Sequence, residues 1–546
     1  MRKTLLSLYL SSVVFSQGLS AGDLPDVNFN PHLASYIKTL SSDAYQGRMP
    51  STVGEAKSIA YIEQRFRSFG LKPGNSNSYL QAVPLVSITA TNQPAVRISG
   101  HDQSFQYRYG ERSMTWTKRV VEHAAVQNSS MVFVGYGIVA PEYGWNDYAG
   151  VDVRGKTVVI LVNDPGFATG DKNLFNGRAM TYYGRWTYKY EEAARQGAAM
   201  ALIVHETDAA GYGWKVVSGS WSGAQFDLTS PDNNMGRVAV EGWLSHDAAT
   251  RIFRAAGSDL KSLKQQALKK PFHPVALGMQ ASVTIDNALK RSESHNVVGL
   301  LPGTAHADEY FIYTAHWDHL GMDPELSGDQ IYNGAEDNAS GVGGLLSLAE
   351  RFAAGKRPTR SIVFLAVTLE ESGLLGSRYY AEHPIYPLAQ TVGGVNIDVM
   401  NVHGPSRDVV VVGLGSHELE PMLAKLAQAQ GRHLAPEDAP QEGHYFRSDQ
   451  FSLAKFGVPM IYAHGGPDSV AHGRAWGLQQ RKLYLTRRYH QPADEYSDSW
   501  DLSGASQDLF LFFRLGLDLA NSRSWPNWYA GNAFKRIRDA SRSDHD

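Results

Sequence analysis

Three times between residues 310 and 398 the chain runs apolar and then turns polar at once. The runs are Tyr310-Phe-Ile-Tyr-Thr-Ala315, Ser361-Ile-Val-Phe-Leu-Ala-Val-Thr368 and Gly393-Gly-Val-Asn-Ile397. None alternates with polar residues, so each reads as a strand buried on both faces, the pattern of a parallel sheet covered by helices. Between the first two, a turn-rich segment opens an apolar helical stretch ending near Gly355. Asp408-Val-Val-Val-Val412 reads as a further strand and residues 418–430 as a helix. Upstream, residues 31–47 read as helical. Thr52-Val-Gly-Glu55 is a capping box, followed by Ile59, Ile62, Phe66 and Phe69 at helical spacing and closed by Gly70. The fold class expected is α/β, with a mostly parallel central sheet flanked by helices.

The pattern changes from about 131 to 285, where short β-like segments, glycines and aromatic residues dominate and no metal-ligand cluster occurs. Residues 132–139, 157–162 and 199–204 read as strands, with helix over 191–196. Tyr182, Tyr183, Arg185, Trp186 and Tyr188 form an aromatic and basic cluster. The expected organisation is 1–21 a signal peptide, 22–127 the amino-terminal part of the main domain, 128–290 an inserted β-rich domain, 291–524 the main domain, and 525–546 a tail. The tail is expected to dock through Trp525, Trp528, Tyr529 and Phe534 before fraying.

Composition adds an address. Arg2 and Lys3, the apolar stretch from Leu5 to Phe15, and the small residues Gly18, Ser20 and Ala21 read as an export signal, too short in its apolar part to span a bilayer. Export to the periplasm or the medium, with no membrane anchor, is the expectation. The chain has no Cys, so its stability has to come from core and metals rather than disulfides. With 546 residues there is room for two or three domains. A formal charge of −3 and no basic run point away from nucleic acid.

The polar residues that end the three runs carry the chemistry. They are His316-Trp-Asp318-His319, Glu370-Glu371 and Asp398, joined by Asp337 from the turn Asn333-Gly-Ala-Glu-Asp337-Asn-Ala-Ser-Gly341. In a parallel sheet such residues gather at the carboxyl ends of the strands, where ligands bind. Imidazole plus carboxylate suits Zn²⁺. His316, Asp337, Glu371, Asp398 and one later His would make two three-ligand sites sharing one Asp. Glu370, next in sequence to a ligand, is left free as general base. His444, His464, His472 and His490 all compete for the fifth position on residue type alone.

The motifs around Ala315-His316-Trp-Asp318-His-Leu-Gly321, Gly334-Ala-Glu-Asp337-Asn-Ala-Ser-Gly341, Glu370-Glu371-Ser-Gly-Leu-Leu-Gly-Ser377, Asn396-Ile-Asp398 and Tyr489-His490-Gln-Pro-Ala-Asp494 resemble the two-zinc aminopeptidase family, whose relatives include bacterial leucyl aminopeptidases, glutamate carboxypeptidase and the transferrin receptor. The resemblance covers about 295–520, with Glu336 where many relatives have Asp and Gln450 where many have His. It implies two Zn²⁺ ions, one on His316 and Asp398, the other on Glu371 and His490, bridged by Asp337. It also implies a metal-bridged hydroxide that attacks the peptide carbonyl, Glu370 as base, Tyr489 as donor to the oxyanion and Asp318 as the carboxylate that orients His316. The inserted region resembles a protease-associated domain, and Arg447 is a candidate substrate-binding residue for a carbonyl or a free carboxylate.

The leading expectation is an exported zinc aminopeptidase that removes amino-terminal residues from peptides. The alternatives are a carboxypeptidase or dipeptidase of the glutamate carboxypeptidase type and a receptor-like binding protein without catalysis, against which the full ligand set argues. Side-chain preference and oligomeric state are left open by the sequence.

Overall fold

The computed structural model describes residues 29–543; the export signal expected over 1–21 lies outside them. The main sheet holds, besides the short strand Lys72–Pro73 that pairs with Leu300 and Gly299, nine longer strands: β1 (Leu80–Ala90), β2 (Ala224–Leu228), β3 (Val275–Leu301), β4 (His306–His316), β5 (Arg360–Val367), β6 (Thr391–Asn396), β7 (Asp408–Val411), β8 (His433–Pro436) and β9 (Met460–Gly465). Their order is β2-β1-β3-β5-β4-β6-β9-β7-β8. The centre, β5-β4-β6-β9, is parallel, and antiparallel neighbours flank it. All eight residues of β5 and all six of β6 are buried, as unbroken apolar runs require.

Helices cover both faces. On one, α1 (Leu33–Leu40), α3 (Gly341–Ala354) and α5 (Ser503–Ala520) bury Leu345, Phe352, Leu509 and Phe512 against Phe311, Tyr313 and Phe364 of the sheet. On the other, α4 (Leu375–Glu382) packs Tyr380 and Ala381 over Ile312, Val363 and Leu365. Each such Leu or Phe taken from water contributes about 1.5–3 kcal/mol.

Register then decides where the polar residues go. His316 of β4 pairs with Val367 of β5, and Thr314 pairs with Asn396 of β6. The strands being parallel, the residues that follow each of them, including Glu370, Glu371 and Asp398, leave the sheet at one edge.

The helical expectation for 31–47 is met only in part. Helix α1 stops at Leu40, and a 3₁₀ turn, Asp43–Arg48, follows with Gln46, Gly47 and Arg48 at positive φ. Next, α2 (Val53–Ser68) starts where the capping residues put it: the Thr52 hydroxyl accepts from Gly54 N at 3.1 Å, while Glu55 turns back to the amide of Ser51. Glu55 also receives His295 Nδ1 at 3.0 Å, which clips α2 to β3. The hydrogen bond and charge of Glu55 raise the His295 pKa above its ordinary 6.5, against a smaller opposing effect of burial. A raised folded pKa means stability present below about pH 6.5 and lost as pH rises through the folded value. Urea unfolding of His295→Gln should therefore show a larger deficit against the unaltered protein at pH 5.5 than at pH 8.5. An equal deficit at both would mean the pair carries no charge.

The inserted region is joined to the main sheet by β3 itself. Residues 287–297 of that strand pair with β1, and residues 275–286 pair with His123–Phe133 in a second sheet. That sheet also holds Thr157–Leu161, Met200–Val204 and Val240–Leu244 as parallel neighbours. It takes in Val96–Gly100, Gln103–Tyr107 and Ser113–Trp116 as well. The boundaries expected at 128 and 290 thus fall inside His123–Phe133 and inside β3. A strand shared by two sheets keeps one hydrophobic pattern throughout, so no compositional break marks the passage. Within the described residues the tail continues past Phe534 into the helix Lys535–Ser543. Trp528 is buried and donates to Gly457 O at 2.9 Å, and the buried Arg538 of the helix Lys535–Ser543 donates to Thr391 O at 2.9 Å.

Candidate metal centre

At the carboxyl edge of the sheet, side chains from five separate segments converge. His316 Nε2 lies 3.3 Å from Asp337 Oδ1 and 3.4 Å from Asp398 Oδ1. His490 Nε2 lies 3.3 Å from Asp337 Oδ2 and 3.1 Å from Glu371 Oε2. These are two three-residue sets, and Asp337 offers a different oxygen to each.

The donors fit metal ions. Two ligand atoms each about 2.0–2.1 Å from a tetrahedral zinc stand roughly 3.3 Å apart, the spacing observed in both sets. His490 Nε2 is buried with no hydrogen-bond partner, an orphan a cation would satisfy. His316, Asp337 and Glu371 have ligand atoms all within 4.8 Å of one another. The carboxylates outnumber the nearby cations, and the imidazoles register it. Burial alone would lower the pKa of His316, yet Asp318, Asp337 and Asp398 hold it well above the ordinary value. Against the same effect of burial, Asp337 and Glu371 raise His490 to about 10. A cluster that pulls protons onto a buried and a half-buried imidazole is a cluster built for positive charge.

The backbone is strained where it delivers these groups. Leu369, just before Glu370, has φ 54°, Val399, just after Asp398, has φ 61°, and His490 itself has φ 56°. Positive φ is costly for such residues, above all for a β-branched Val, and persists where the surroundings hold it.

The supporting contacts are specific. Asp494 accepts from the amides of Glu336 and Asp337, both at 3.1 Å, and so fixes the turn that presents Asp337. Arg48, fully buried, donates to the carbonyls of Trp317 (2.9 Å), Leu40 (2.9 Å), Asn333 (2.6 Å) and Gly334 (2.8 Å), tying the α1 end to two metal-site loops. Nothing in the apolar pattern singled out Arg48 beforehand. Arg48→Met leaves those carbonyls buried without donors and should cost about 3–5 kcal/mol, read as a lower urea midpoint at unchanged slope. A loss below about 1 kcal/mol would show that water replaces the guanidinium.

Asp398 is held through a chain of polar side chains. Ser448 Oγ donates to its Oδ2 at 2.6 Å, while Asn396 Nδ2 donates to Ser448 Oγ at 2.7 Å and to Gln450 Oε1 at 2.8 Å. Gln450 closes the chain on Tyr445 O at 2.6 Å, a supporting place and not a ligand position.

One sequence expectation changes in detail, and one residue gains a role. Asp318 was expected to orient His316 through its carboxylate, but His316 Nδ1 is nearer the Asp318 carbonyl, 3.2 Å, than the carboxylate, 3.6 Å. Its carboxylate instead accepts from the amides of Glu370 (3.2 Å) and Glu371 (3.4 Å), because those N–H groups emerge at the β5 end facing it. His319, part of the same polar run but given no role, proves to be a positioning residue: its Nδ1 lies 2.7 Å from Glu371 Oε1.

Among the competing histidines, His444 Nδ1 contacts Glu437 at 2.7 Å, His464 Nδ1 contacts Gly465 O at 3.0 Å, and His472 packs on Trp476 with centroids 4.4 Å apart. Among the described residues only His490 and His319 of the later and neighbouring imidazoles meet Glu371. The Tyr489 ring stacks on His490 with centroids 3.9 Å apart.

The centre opens into a cavity of about 1170 Å³ lined by Glu370, Asp398, Tyr489 and Arg447 from the main domain and by Arg185 and Tyr212 from the insert. Burial pushes the Glu370 carboxyl well above its usual range, with Asp398 and Glu371 adding to the effect and His316 opposing it.

An α/β sheet with a carboxylate and imidazole centre at its carboxyl edge defines a class of metal-dependent hydrolase folds. Residues 296–513 match Peptidase family M28. The chain is 31% identical over 128 residues to "Aminopeptidase NAALADL1" of Mus musculus, a match covering 22% of this chain and 16% of that protein. It is 25% identical over 402 residues to "Probable glutamate carboxypeptidase AMP1" of Arabidopsis thaliana, covering 68% of this chain and 51% of that one. The aligned stretches thus span well under two thirds of these relatives' lengths. Among solved structures, the aminopeptidase from Aneurinibacillus sp. strain AM-1 aligns with a TM-score of 0.47 at 20% identity, over 90% of this chain and 94% of that one.

Proposed function

We propose that the chain is an exported zinc aminopeptidase that cleaves amino-terminal residues from peptides. The observation that carries this reading is the division of Asp337, whose Oδ1 faces His316 and whose Oδ2 faces His490. His316 and Asp398 would hold one zinc, Glu371 and His490 the other, with Asp337 shared. Bound there, the pair supplies a Lewis-acid centre that lowers the pKa of a water.

The chain's own residues do the rest. Glu370, buried beside the cluster, takes the proton of the attacking water and passes it to the leaving amine. The raised Glu370 pKa describes the cluster without cations; added positive charge lowers it toward the range a general base needs. Tyr489, kept neutral first by burial and then by the surrounding carboxylates, donates its hydroxyl to the carbonyl oxygen as charge develops there. Asp318 and His319 keep Glu370 and Glu371 in place. The insert, read as a protease-associated domain, supplies one wall of the cavity and limits which peptides enter. The residues at 1–21 direct the chain to the periplasm or medium.

The test is hydrolysis by zinc-loaded protein of aminoacyl-nitroanilides with a free α-amine and of amino-blocked dipeptides with a free carboxylate. Cleavage of the first alone is expected. Cleavage of the second alone would move the activity to a carboxypeptidase.

A further inference from the structure

Strand β2 is an edge of the main sheet: it pairs with β1 and has no strand on its other side among the described residues. Its register shows which backbone groups that leaves over. Thr229 N donates to Pro84 O at 3.2 Å. In this antiparallel ladder Asp227 and Gln225 therefore also turn their amides and carbonyls toward β1, while Leu228, Phe226 and Ala224 turn theirs away. A row of unpaired amides and carbonyls is a template for another extended chain.

One end of that row is closed by the chain itself. Leu228 N donates to Asp227 Oδ1 at 2.8 Å, and Leu228 O accepts from Asn234 Nδ2 at 3.2 Å. The Asp227 carboxylate is held in turn by Arg378 at 3.0 Å and Lys118 at 3.5 Å. The other end is open: the amides and carbonyls of Phe226 and Ala224 meet no partner among the described residues. These two residues, the first half-buried and the second exposed, line the same cavity of about 1170 Å³ as Glu370 and Asp337. Phe226 also packs against the cluster that holds Leu369 and Leu375, and Leu369 immediately precedes Glu370. The open stretch of sheet edge thus borders the space a peptide has to enter to reach the base.

We infer that an extended peptide substrate pairs with β2 as an added strand, exchanging main-chain hydrogen bonds with Phe226 and Ala224. This rests on the peptidase reading above and narrows it to oligopeptides long enough to reach from Glu370 to that edge. Recognition of this kind draws affinity from the substrate backbone, whatever its side chains.

The experiment is calorimetric titration of zinc-loaded Glu370→Gln protein with the hexapeptide Leu-Ala-Ala-Ala-Ala-Ala-amide and with forms of it N-methylated singly at the third, fourth, fifth or sixth residue. Successive amides of an extended peptide point to opposite sides, so every second methyl group should weaken binding roughly three- to tenfold and those between should leave it unchanged. Ala224→Pro removes an amide that points away from the sheet and costs no ladder bond, as edge strands tolerate. It should weaken the unmethylated peptide by a similar factor, while Ala224→Ser should not. Equal binding of all the peptides, a loss that does not alternate, or an Ala224→Pro protein that binds as tightly as Ala224→Ser overturns the inference. Failure of the unaltered enzyme to cleave any peptide, with the alternation intact, would instead overturn the aminopeptidase reading.

Discussion

Glu370→Gln should lower kcat by about 10²- to 10⁴-fold, the usual contribution of a positioned general base, with zinc content unchanged. The side chain is buried at the cluster, yet it takes no part in the two three-residue sets, whose short separations run through Asp337, Asp398, Glu371, His316 and His490. Gln keeps its volume and hydrogen-bonding length and loses only the ability to accept a proton. KM should move little, because the loss falls on the transition state. Full turnover in this variant would remove Glu370 from the mechanism, and loss of zinc would make it a ligand.

The second large effect belongs to Asp337. Its two oxygens serve different sets, so Asp337→Ala should empty both sites, while His490→Ala should empty one. Counting zinc in the purified variants separates these outcomes. Retention of both metals in His490→Ala, with loss in His464→Ala or His472→Ala, would move the fifth ligand. Asp494→Asn provides a graded control. It keeps an acceptor for only one of the Glu336 and Asp337 amides, which Asp494 receives on separate oxygens, and removes the charge behind them; outer partners of this sort are worth about 10–100-fold in metal affinity.

Much of the centre was legible because each of its residues follows a strand whose burial is written in consecutive apolar residues. Register does the remaining work: once β4, β5 and β6 are parallel neighbours, His316, Glu370, Glu371 and Asp398 have no other edge to reach. Asp337 was legible for a different reason, as the acid of a turn that opens α3. His490 was not, on residue type alone. It lies far along the chain on a loop after the helix Arg474–Arg487, and its selection over His444, His464 and His472 is a matter of tertiary contact. The same holds for Arg48, whose five carbonyl acceptors come from segments up to 289 residues away. The roles of Asp318 and His319 were only half visible, since adjacent residues on a loop can exchange partners without any change in pattern. The insert boundary was invisible because β3 crosses it without interruption.

The sheet edge presents the candidate metal ligands and Glu370, and the cavity is also lined by Arg185, Trp186 and Tyr212 of the insert. Substitutions in the insert should therefore change which peptides are bound more than whether they are cut.

The most direct measurement is an anomalous difference map at the zinc edge from crystals of the zinc-loaded protein. Two peaks are expected, one touched by His316 and Asp398, the other by Glu371 and His490, with an oxygen of Asp337 on each. A single peak, or a second peak held by His444, His464 or His472, would contradict the shared-aspartate centre on which the whole reading stands.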